Sequence, residues 1–331
     1  MRPLLPNSVF VTWSKQCTRS SNQARHLGAE LLIVHFVTPL SGALGAILRY
    51  VASIPSTIRQ LRKRRPDVIL TENQPIFLVL SVALYASFAR IPYIIDSHSG
   101  AFNNPKWRWA MPIYRILARR ALINVNTNDV HKGLVESWGG RSLIIADIPI
   151  FIDRIEPPAH SPERYLVAIT SFGFDEPIDE IIEAARITPH VEFYLTGNYN
   201  KLTSEVRERA PRNVHFTGFI DYPQYLGLIS RSSGVIVLTT RDNTMQRGAY
   251  EALALEVPII TSDFAILRKS FADAALYVEN TPPRIADAVN ELQRRSEELR
   301  AAAVEQKARR AKAYKMAIAT IADDVAASRR L

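Results

Sequence analysis

Two α/β domains, each built on a mostly parallel sheet, with a helical C-terminal tail, are what this sequence predicts. Three observations carry that prediction. Short β-rich runs alternate with helical stretches through both halves of the chain, the pattern of βαβ units. A proline-rich break from Pro149 to Pro162 interrupts the alternation, which then restarts. Beyond Pro283 the chain is rich in Ala, Arg, Lys and Glu, all strong helix formers. A length of 331 residues exceeds what one compact core usually covers, which agrees with two domains.

The first domain is expected over residues 1–150. Its strands are predicted at Val9–Trp13, Leu31–Val37, Asp67–Leu70, Tyr93–Asp96 and Leu122–Thr127, with Ile145–Pro149 closing the sheet. The uncharged apolar run Ile76–Ala89, between Pro75 and Arg90, is shorter than the roughly 20 residues a membrane-spanning helix needs, so it reads as a buried helix. A linker over 151–163 follows. The second domain is expected over 164–298, with strands at Tyr165–Thr170, Val191–Thr196, Val214–Thr217, Val235–Leu238, Pro258–Thr261 and Ala275–Val278. Helices such as Pro177–Arg186 and Gln246–Leu255 lie between them, and residues 299–331 form the tail. Ligands of such sheets bind outside the carboxyl ends of the strands, so two Rossmann-like domains facing a cleft would hold two substrates.

Composition narrows the classes. A chain 47% hydrophobic and 22% charged is that of a folded protein and excludes disordered and fibrous classes. One cysteine excludes a disulfide framework and a thiolate-rich metal site, and suits a reducing cytoplasm. Met1 to Ser8 has no charged-then-apolar leader, so no signal peptide is expected. The net charge of +9 is unevenly spread: residues 1–150 carry 18 basic and 7 acidic residues, a balance of +11, and the remainder sums to −2. The first domain is therefore expected to meet something anionic: a phospholipid surface, a phosphate-bearing acceptor or nucleic acid. Its densest cluster is Arg59, Arg62, Lys63, Arg64 and Arg65, which is also what a solvated helix end before Pro66 looks like.

Several common chemistries have no motif here. There is no Gly-x-Gly-x-x-Gly after a strand, no phosphate loop ending in Gly-Lys-Ser/Thr, no Gly-x-Ser-x-Gly and no His-Glu-x-x-His. The absence of Asp-x-Asp counts against metal-held diphosphate, and no metal or other cofactor is expected. Nucleic acid is set aside as a partner because the basic half lacks the aromatic interleaving of a stacking platform.

The most informative stretch runs from Thr239 to Asp263. A strand ends near Thr240 and Arg241, a polar loop follows, and Thr244 reads as the N-cap of a helix that contains Met245, Arg247, Gly248 and Glu251. A helix N-terminus in a cleft offers free amides and a favourable dipole to a diphosphate. Gly248 would permit close approach of the ligand, and the Glu251 carboxylate could accept hydrogen bonds from sugar hydroxyls. The same residues also fit an ordinary capped helix with a solvated glutamate.

This stretch resembles the donor-binding segment of GT-B glycosyltransferases of the family 4 type, the glycosyl transferases group 1. That family shows a glutamate, seven residues, a second glutamate followed by Ala, and soon after Gly-x-Pro. Glu251-Ala252-Leu253 and Glu256-Val257-Pro258 match the second half; Asn243 stands at the first glutamate and Glu256 at the usual glycine. Asn213 to Phe219 resembles the family's strand and turn at the nucleobase, which implicates Gly218 and Phe219. Leu195-Thr196-Gly197-Asn198 resembles its small-residue loop beside the donor, implicating Gly197 and Asn198. The family's arginine and lysine after the domain's first strand are missing: that loop reads Ser171-Phe172-Gly173-Phe174-Asp175-Glu176-Pro177. Ser171 and Phe172 keep the donor-side place there, and Arg241 or Arg247 would have to supply the charge.

In the first domain Tyr93 to Asp96 runs into Ser97-His98-Ser99-Gly100, similar to the family's segment whose histidine reaches the donor sugar. His98 could donate to a sugar hydroxyl or act as a base, and Asp96 could orient it. Arg19, Ser20 and Asn73, in loops after the first and third strands, are expected on the acceptor side, with Glu72 and Asn126-Thr127-Asn128 in equivalent places. Cys17 reads as incidental because no histidine is near it in sequence, and His35 and His131 read as structural.

The resemblance implies a GT-B glycosyltransferase that moves a sugar from a nucleotide-diphosphate sugar to a glycan or lipid-linked acceptor, as in polysaccharide biosynthesis, without a divalent metal. With the basic first domain, it implies a cytoplasmic protein peripheral on the inner face of the membrane. Two alternatives stay open. One is a catalytically inactive GT-B protein that binds a sugar nucleotide or a partner glycosyltransferase. The other is a GT-B nucleotide-sugar epimerase, which the +11 domain argues against.

Overall fold

A computed structural model describes residues 4–5, 7–15, 17–38, 42–103, 105–146, 148–157 and 164–329. It divides into two compact units, Met1–Pro149 with Ala313–Leu331, and Ile150–Lys312. Unit 1 holds strands β1 (Ser8–Thr12), β2 (Glu30–Ile33), β3 (Val68–Glu72), β4 (Tyr93–Asp96), β5 (Ile123–Asn126) and β6 (Ser142–Ile144). They form one parallel sheet in the order β2-β1-β3-β4-β5-β6. Unit 2 holds β7 (Tyr165–Ala168), β8 (Glu192–Thr196), β9 (Val214–Gly218), β10 (Gly234–Val237), β11 (Ile259–Ser262) and β12 (Ala275–Val278). Its sheet is also parallel, in the order β12-β11-β10-β7-β8-β9.

Parallel strands covered by helices on both faces are buried along their whole length and read as near-continuous apolar runs. Every residue of β3, β4, β7, β10 and β11 is accordingly buried. The helix Ile76–Ala89 is a core helix: Leu78, Val79, Val82, Tyr85 and Ala86 pack with Ile69 and Ile95 on one face of the sheet. Among the described residues no helix is long and apolar enough to cross a membrane.

Three expectations are corrected. The edge strand of unit 1 is β6, ahead of Ile145–Pro149; Ile145 and Ile148 turn their side chains into the core instead. β2 stops at Ile33, because Val34 to Phe36 pass the end of β1 and line a cavity. The expected C-terminal helix is present but starts earlier, at Ser296, runs to Ser328 and is divided between the units. Leu299 and Ala303 are buried in unit 2, and Ala317, Ile318, Ile321 and Val325 pack with Phe10, Leu27 and Ile94 in unit 1. The linker expected over 151–163 is described only to Pro157; residues 158–163 lie outside the described residues, as do Met1–Pro3 and Pro6 of the expected leaderless start.

In each sheet the strand order reverses beside the first strand, between β1 and β3 in unit 1 and between β7 and β10 in unit 2. Connections leave these neighbours toward opposite faces, and the crevice between them is where such sheets bind ligands.

The chain enters unit 2 by docking on the helix Tyr222–Arg231. The Glu156 amide donates to the Pro223 carbonyl at 3.0 Å, and a Cβ at Gly227 would stand 1.6 Å from the Glu156 carbonyl oxygen. Gly227→Ala is therefore expected to destabilise the protein by about 1–3 kcal/mol, the usual cost of overpacking. Urea unfolding checks this; a midpoint equal to wild type would show that the segment yields without cost.

Candidate functional site

A cavity of about 370 Å³ lies at the reversal point of unit 2, lined by the loop after β7, the end of β10 and the start of the helix Arg247–Ala254. Ser171, Thr244, Met245, Arg247, Gly248 and Glu251 share it. Glu251 is buried, not solvated, and its carboxylate is held by three donors: Arg247 Nε at 2.8 Å, the Tyr225 hydroxyl at 2.7 Å and the Tyr222 hydroxyl at 3.2 Å. A carboxylate has about four acceptor positions, so one is left for a further donor. Burial, then the Glu251 charge, pushes the Tyr222 hydroxyl up to about 12 and Tyr225 well above its ordinary value. Burial pulls the Arg247 guanidinium down, but the Glu251 carboxylate outweighs it and the net shift is upward.

One local expectation fails here. Thr244 is not the N-cap: the helix starts at Arg247, with Gln246 in the cap position and no side chain capping it. Gln246 is turned inward to accept from the Thr261 hydroxyl at 2.9 Å. Gly248 also has a packing role beside its place in the cavity wall, since a Cβ there would stand 2.6 Å from Ile169 Cγ2.

The loop Ser171–Pro177 carries no cation of its own, yet two reach it from elsewhere in unit 2. Lys201 Nζ donates to the Ser171 carbonyl at 2.7 Å, and the Arg241 guanidinium lies 4.5 Å from the centre of the Phe174 ring. Thr240 anchors the far side, its amide and hydroxyl donating to the Asp175 carbonyl at 2.7 and 3.2 Å. Phe172 turns its ring into the core at φ 53°. Gly197, at φ 102°, could not carry a side chain, because a Cβ would meet the Thr170 carbonyl oxygen at 2.3 Å. Its amide donates to the Gly218 carbonyl at 3.2 Å, and the Asn198 side chain accepts from the Asn200 amide. Phe219, just beyond β9, is 84% exposed. These ends of β8 and β9 flank the loop after β7 and do not line the cavity itself.

Unit 1 has its own cavity of about 370 Å³ at the β1/β3 reversal, with Trp13, Cys17, His35, Tyr50, Glu72 and His98 among its lining. Trp13 and Tyr50 stack at 5.9 Å. His98 is aimed by its backbone: its amide donates to Asn73 Oδ1 at 3.0 Å, and Asn73 Nδ2 donates to its carbonyl at 3.1 Å. Its Nε2 is 3.3 Å from Asp96 Oδ2. Asp96 is fully buried at the end of β4, gripped by Arg19 through Nε at 3.0 Å and Nη2 at 2.9 Å. Burial would raise its carboxyl, but the Arg19 charge and His98 hold it well below the usual carboxylate range.

The residues expected on the acceptor side have other partners. Arg19 holds Asp96 and the carbonyls of Ile145 and Ala146, Ser20 donates to Glu72 Oε1 at 2.5 Å, and Asn73 clamps His98. None of the three lines the cavity. Asn126 donates to the Ser142 hydroxyl, and Asn128 caps the helix Asp129–Ser137. Cys17 meets in the fold the histidine it lacks in sequence: its sulfur, a Glu72 oxygen and a His98 nitrogen lie within 4.8 Å of one another. A thiolate, carboxylate and imidazole could hold a borderline cation. Burial and the neighbouring Glu72 charge, however, push the Cys17 thiol up and keep its proton on. His35 lies beyond β2 and lines this cavity, whereas His131 is structural, stacked on Phe102 and lowered to about 4 by burial.

Residues 166–295, all within unit 2, match the family model for glycosyl transferases group 1. No curated protein sequence matches the chain significantly. Among solved structures, the Anabaena protein HepE, determined with UDP and glucose, superposes with a TM-score of 0.69 at 14% identity, covering 97% of this chain and 98% of its own. Sucrose-phosphate synthase from Thermosynechococcus elongatus gives 0.67 at 14% identity, over 89% of this chain and 82% of its own. A glycosyltransferase from Rickettsia africae gives 0.63 at 11% identity, over 94% and 98%. The fold is thus that of the GT-B glycosyltransferases, and the resemblance read from the sequence holds.

Removing one partner of a buried ion pair strands the other charge. Arg19→Met is therefore expected to cost about 3–5 kcal/mol of stability. In the wild type Asp96 stabilises the fold above its unfolded value of about 4, and this stabilisation is lost as pH falls toward the lower folded value. Urea unfolding across that acid range should show the decline in the wild type and its absence in Arg19→Met. Identical acid limbs would mean that Asp96 owes its ionisation to another group.

Proposed function

We propose that the protein is a glycosyltransferase that moves a sugar from a nucleoside-diphosphate sugar bound in unit 2 to a glycan or lipid-linked acceptor received by unit 1, without a divalent metal. The observation that carries this reading is the unit 2 cavity, where an uncapped helix N-terminus and a buried carboxylate with one open acceptor position line the same space. The first suits a phosphate and the second a sugar hydroxyl. The family match over 166–295 and the UDP and UDP-glucose complexes of HepE support it. Catalysis would rest on positioning and on stabilising the leaving diphosphate by helix amides, with Lys201 and Arg241 as the nearby cations. His98, held by Asn73 beside Asp96, is the group of the unit 1 cavity suited to bind a sugar hydroxyl or take a proton. Asn243, in place of the family's first glutamate, favours the second reading, a binder of sugar nucleotide that does not turn over.

A lipid-linked acceptor on the cytoplasmic membrane face is supported by the helix Gly42–Arg64. Leu44, Ile47, Leu48 and Val51 are exposed in its first half, and Arg59, Arg62 and Lys63 near its end. Arg49, Tyr50 and Ser53 of the same helix line the unit 1 cavity. An apolar stripe with a basic end is the pattern of a helix that lies in the lipid interface.

Glu251→Gln is expected to weaken binding of a nucleoside-diphosphate sugar about ten- to a hundredfold, the loss of one charge-assisted hydrogen bond. His98→Ala should lower kcat and leave the affinity for free nucleotide unchanged. Calorimetry, and turnover measured with lipid extract in excess chelator, check both. Normal turnover of His98→Ala would remove its catalytic role, and the absence of donor hydrolysis by the wild type would favour the inactive binder. Vesicle sedimentation makes a separate test. Binding should require anionic lipid and weaken as salt shortens the Debye length from about 10 Å toward 3 Å; binding to neutral vesicles at equal strength would refute the electrostatic part.

A further inference from the structure

The loop after β7 builds an amide cradle that already holds an anion, and the anion belongs to the chain. Glu176 accepts from the Ser171 amide at 2.9 Å, the Ser171 hydroxyl at 3.0 Å and the Gly173 amide at 3.0 Å. The two amides converge because Phe172 between them adopts φ 53°, which residues with side chains avoid; alternation of hand along the backbone is what turns successive N–H groups toward one point. The cradle does not owe its shape to Glu176 alone. Burial of the Phe172 ring, the bond from Lys201 to the Ser171 carbonyl and the bonds from Thr240 to the Asp175 carbonyl hold it from three sides. Glu176 also lines the cavity that contains Arg247 and Glu251.

We propose that the Glu176 carboxylate is a resident stand-in for a phosphoryl group: it closes the cradle in the free protein and leaves when a nucleoside diphosphate arrives. The inference rests on the donor reading of the unit 2 cavity and adds a discrimination to it. A ligand gains the cradle only by displacing a carboxylate, which a diphosphate can do with its own charge and a neutral nucleoside cannot. The apparent affinity for diphosphate is reduced by the fraction of time Glu176 is in place, and is recovered when the carboxylate is neutralised.

The test is calorimetric titration of wild type and Glu176→Gln with UDP, inorganic pyrophosphate and uridine. Amide resonances of Ser171 and Gly173 are followed in parallel, and thermal unfolding confirms that the variant is folded. Tighter binding of UDP and pyrophosphate to Glu176→Gln, by about tenfold if Glu176 fills the cradle nine-tenths of the time, is the expected result. Uridine should show no gain, and both ligands should move the two amide resonances in the wild type. Equal or weaker diphosphate binding by Glu176→Gln would overturn the proposal and make Glu176 a strap of the loop. Pyrophosphate binding that tightens while UDP binds neither protein would leave the cradle standing and overturn the donor reading. Binding of neither ligand to either protein would overturn both.

Discussion

A parallel sheet whose strand order reverses beside its first strand cannot close over its own carboxyl ends. The connections of β7 and β10, like those of β1 and β3, leave toward opposite faces, which opens a crevice between them. The two cavities described above sit at such points, lined by segments that follow these strands. Main-chain amides, helix N-termini and strand-end side chains are gathered there by topology alone, and sequence chooses what they do.

What the sequence chose is buried negative charge in each unit. Asp96 ends β4 in unit 1 and Glu251 lies in the helix Arg247–Ala254 of unit 2, both nearly without solvent. An unpaired carboxylate there would be costly, so each is matched by an arginine and further donors: Arg19 with His98 beside it, and Arg247 with two tyrosines. Such pairs add little stability compared with apolar residues of the same size. Their effect is geometric: Asp96 sits beside the His98 ring, and Glu251 is locked with one acceptor position open. In both places an arginine expected at a ligand site is engaged by the carboxylate, Arg247 while it also lines its cavity.

Much of the fold was legible because fully buried parallel strands must be apolar throughout, which is how runs such as Tyr165–Thr170 and Val235–Leu238 announce themselves. The same rule misleads where apolar residues line a cavity instead of pairing, as at Val34–Phe36, and it carried the expected strand past Ile33. Side chains at the site were harder to read because their meaning is set by partners remote in sequence. Cys17, Glu72 and His98 meet only because β1, β3 and β4 lie side by side. Gly248 looked like a ligand-facing glycine, and only the fold shows that Ile169 packs against it as well. Glu251 also fitted a solvated glutamate until Tyr222 and Tyr225, one turn apart on another helix, were placed against it.

The loop Ser171–Pro177 is where this chain departs most from the family pattern, and its missing cations have a spatial answer. Lys201 follows β8 and Arg241 follows β10, the two strands that flank β7, so positive charge returns to the loop from both neighbours. Their bonds to the Ser171 carbonyl and the Phe174 ring fix the loop's backbone and leave its amides pointing at Glu176. Cations placed on the loop itself would reach its ligand directly. Cations placed on its neighbours shape the backbone, and the backbone becomes the anion-binding element. On the donor reading proposed above, a departure that looks in the sequence like the loss of a phosphate grip would be a change in what does the gripping.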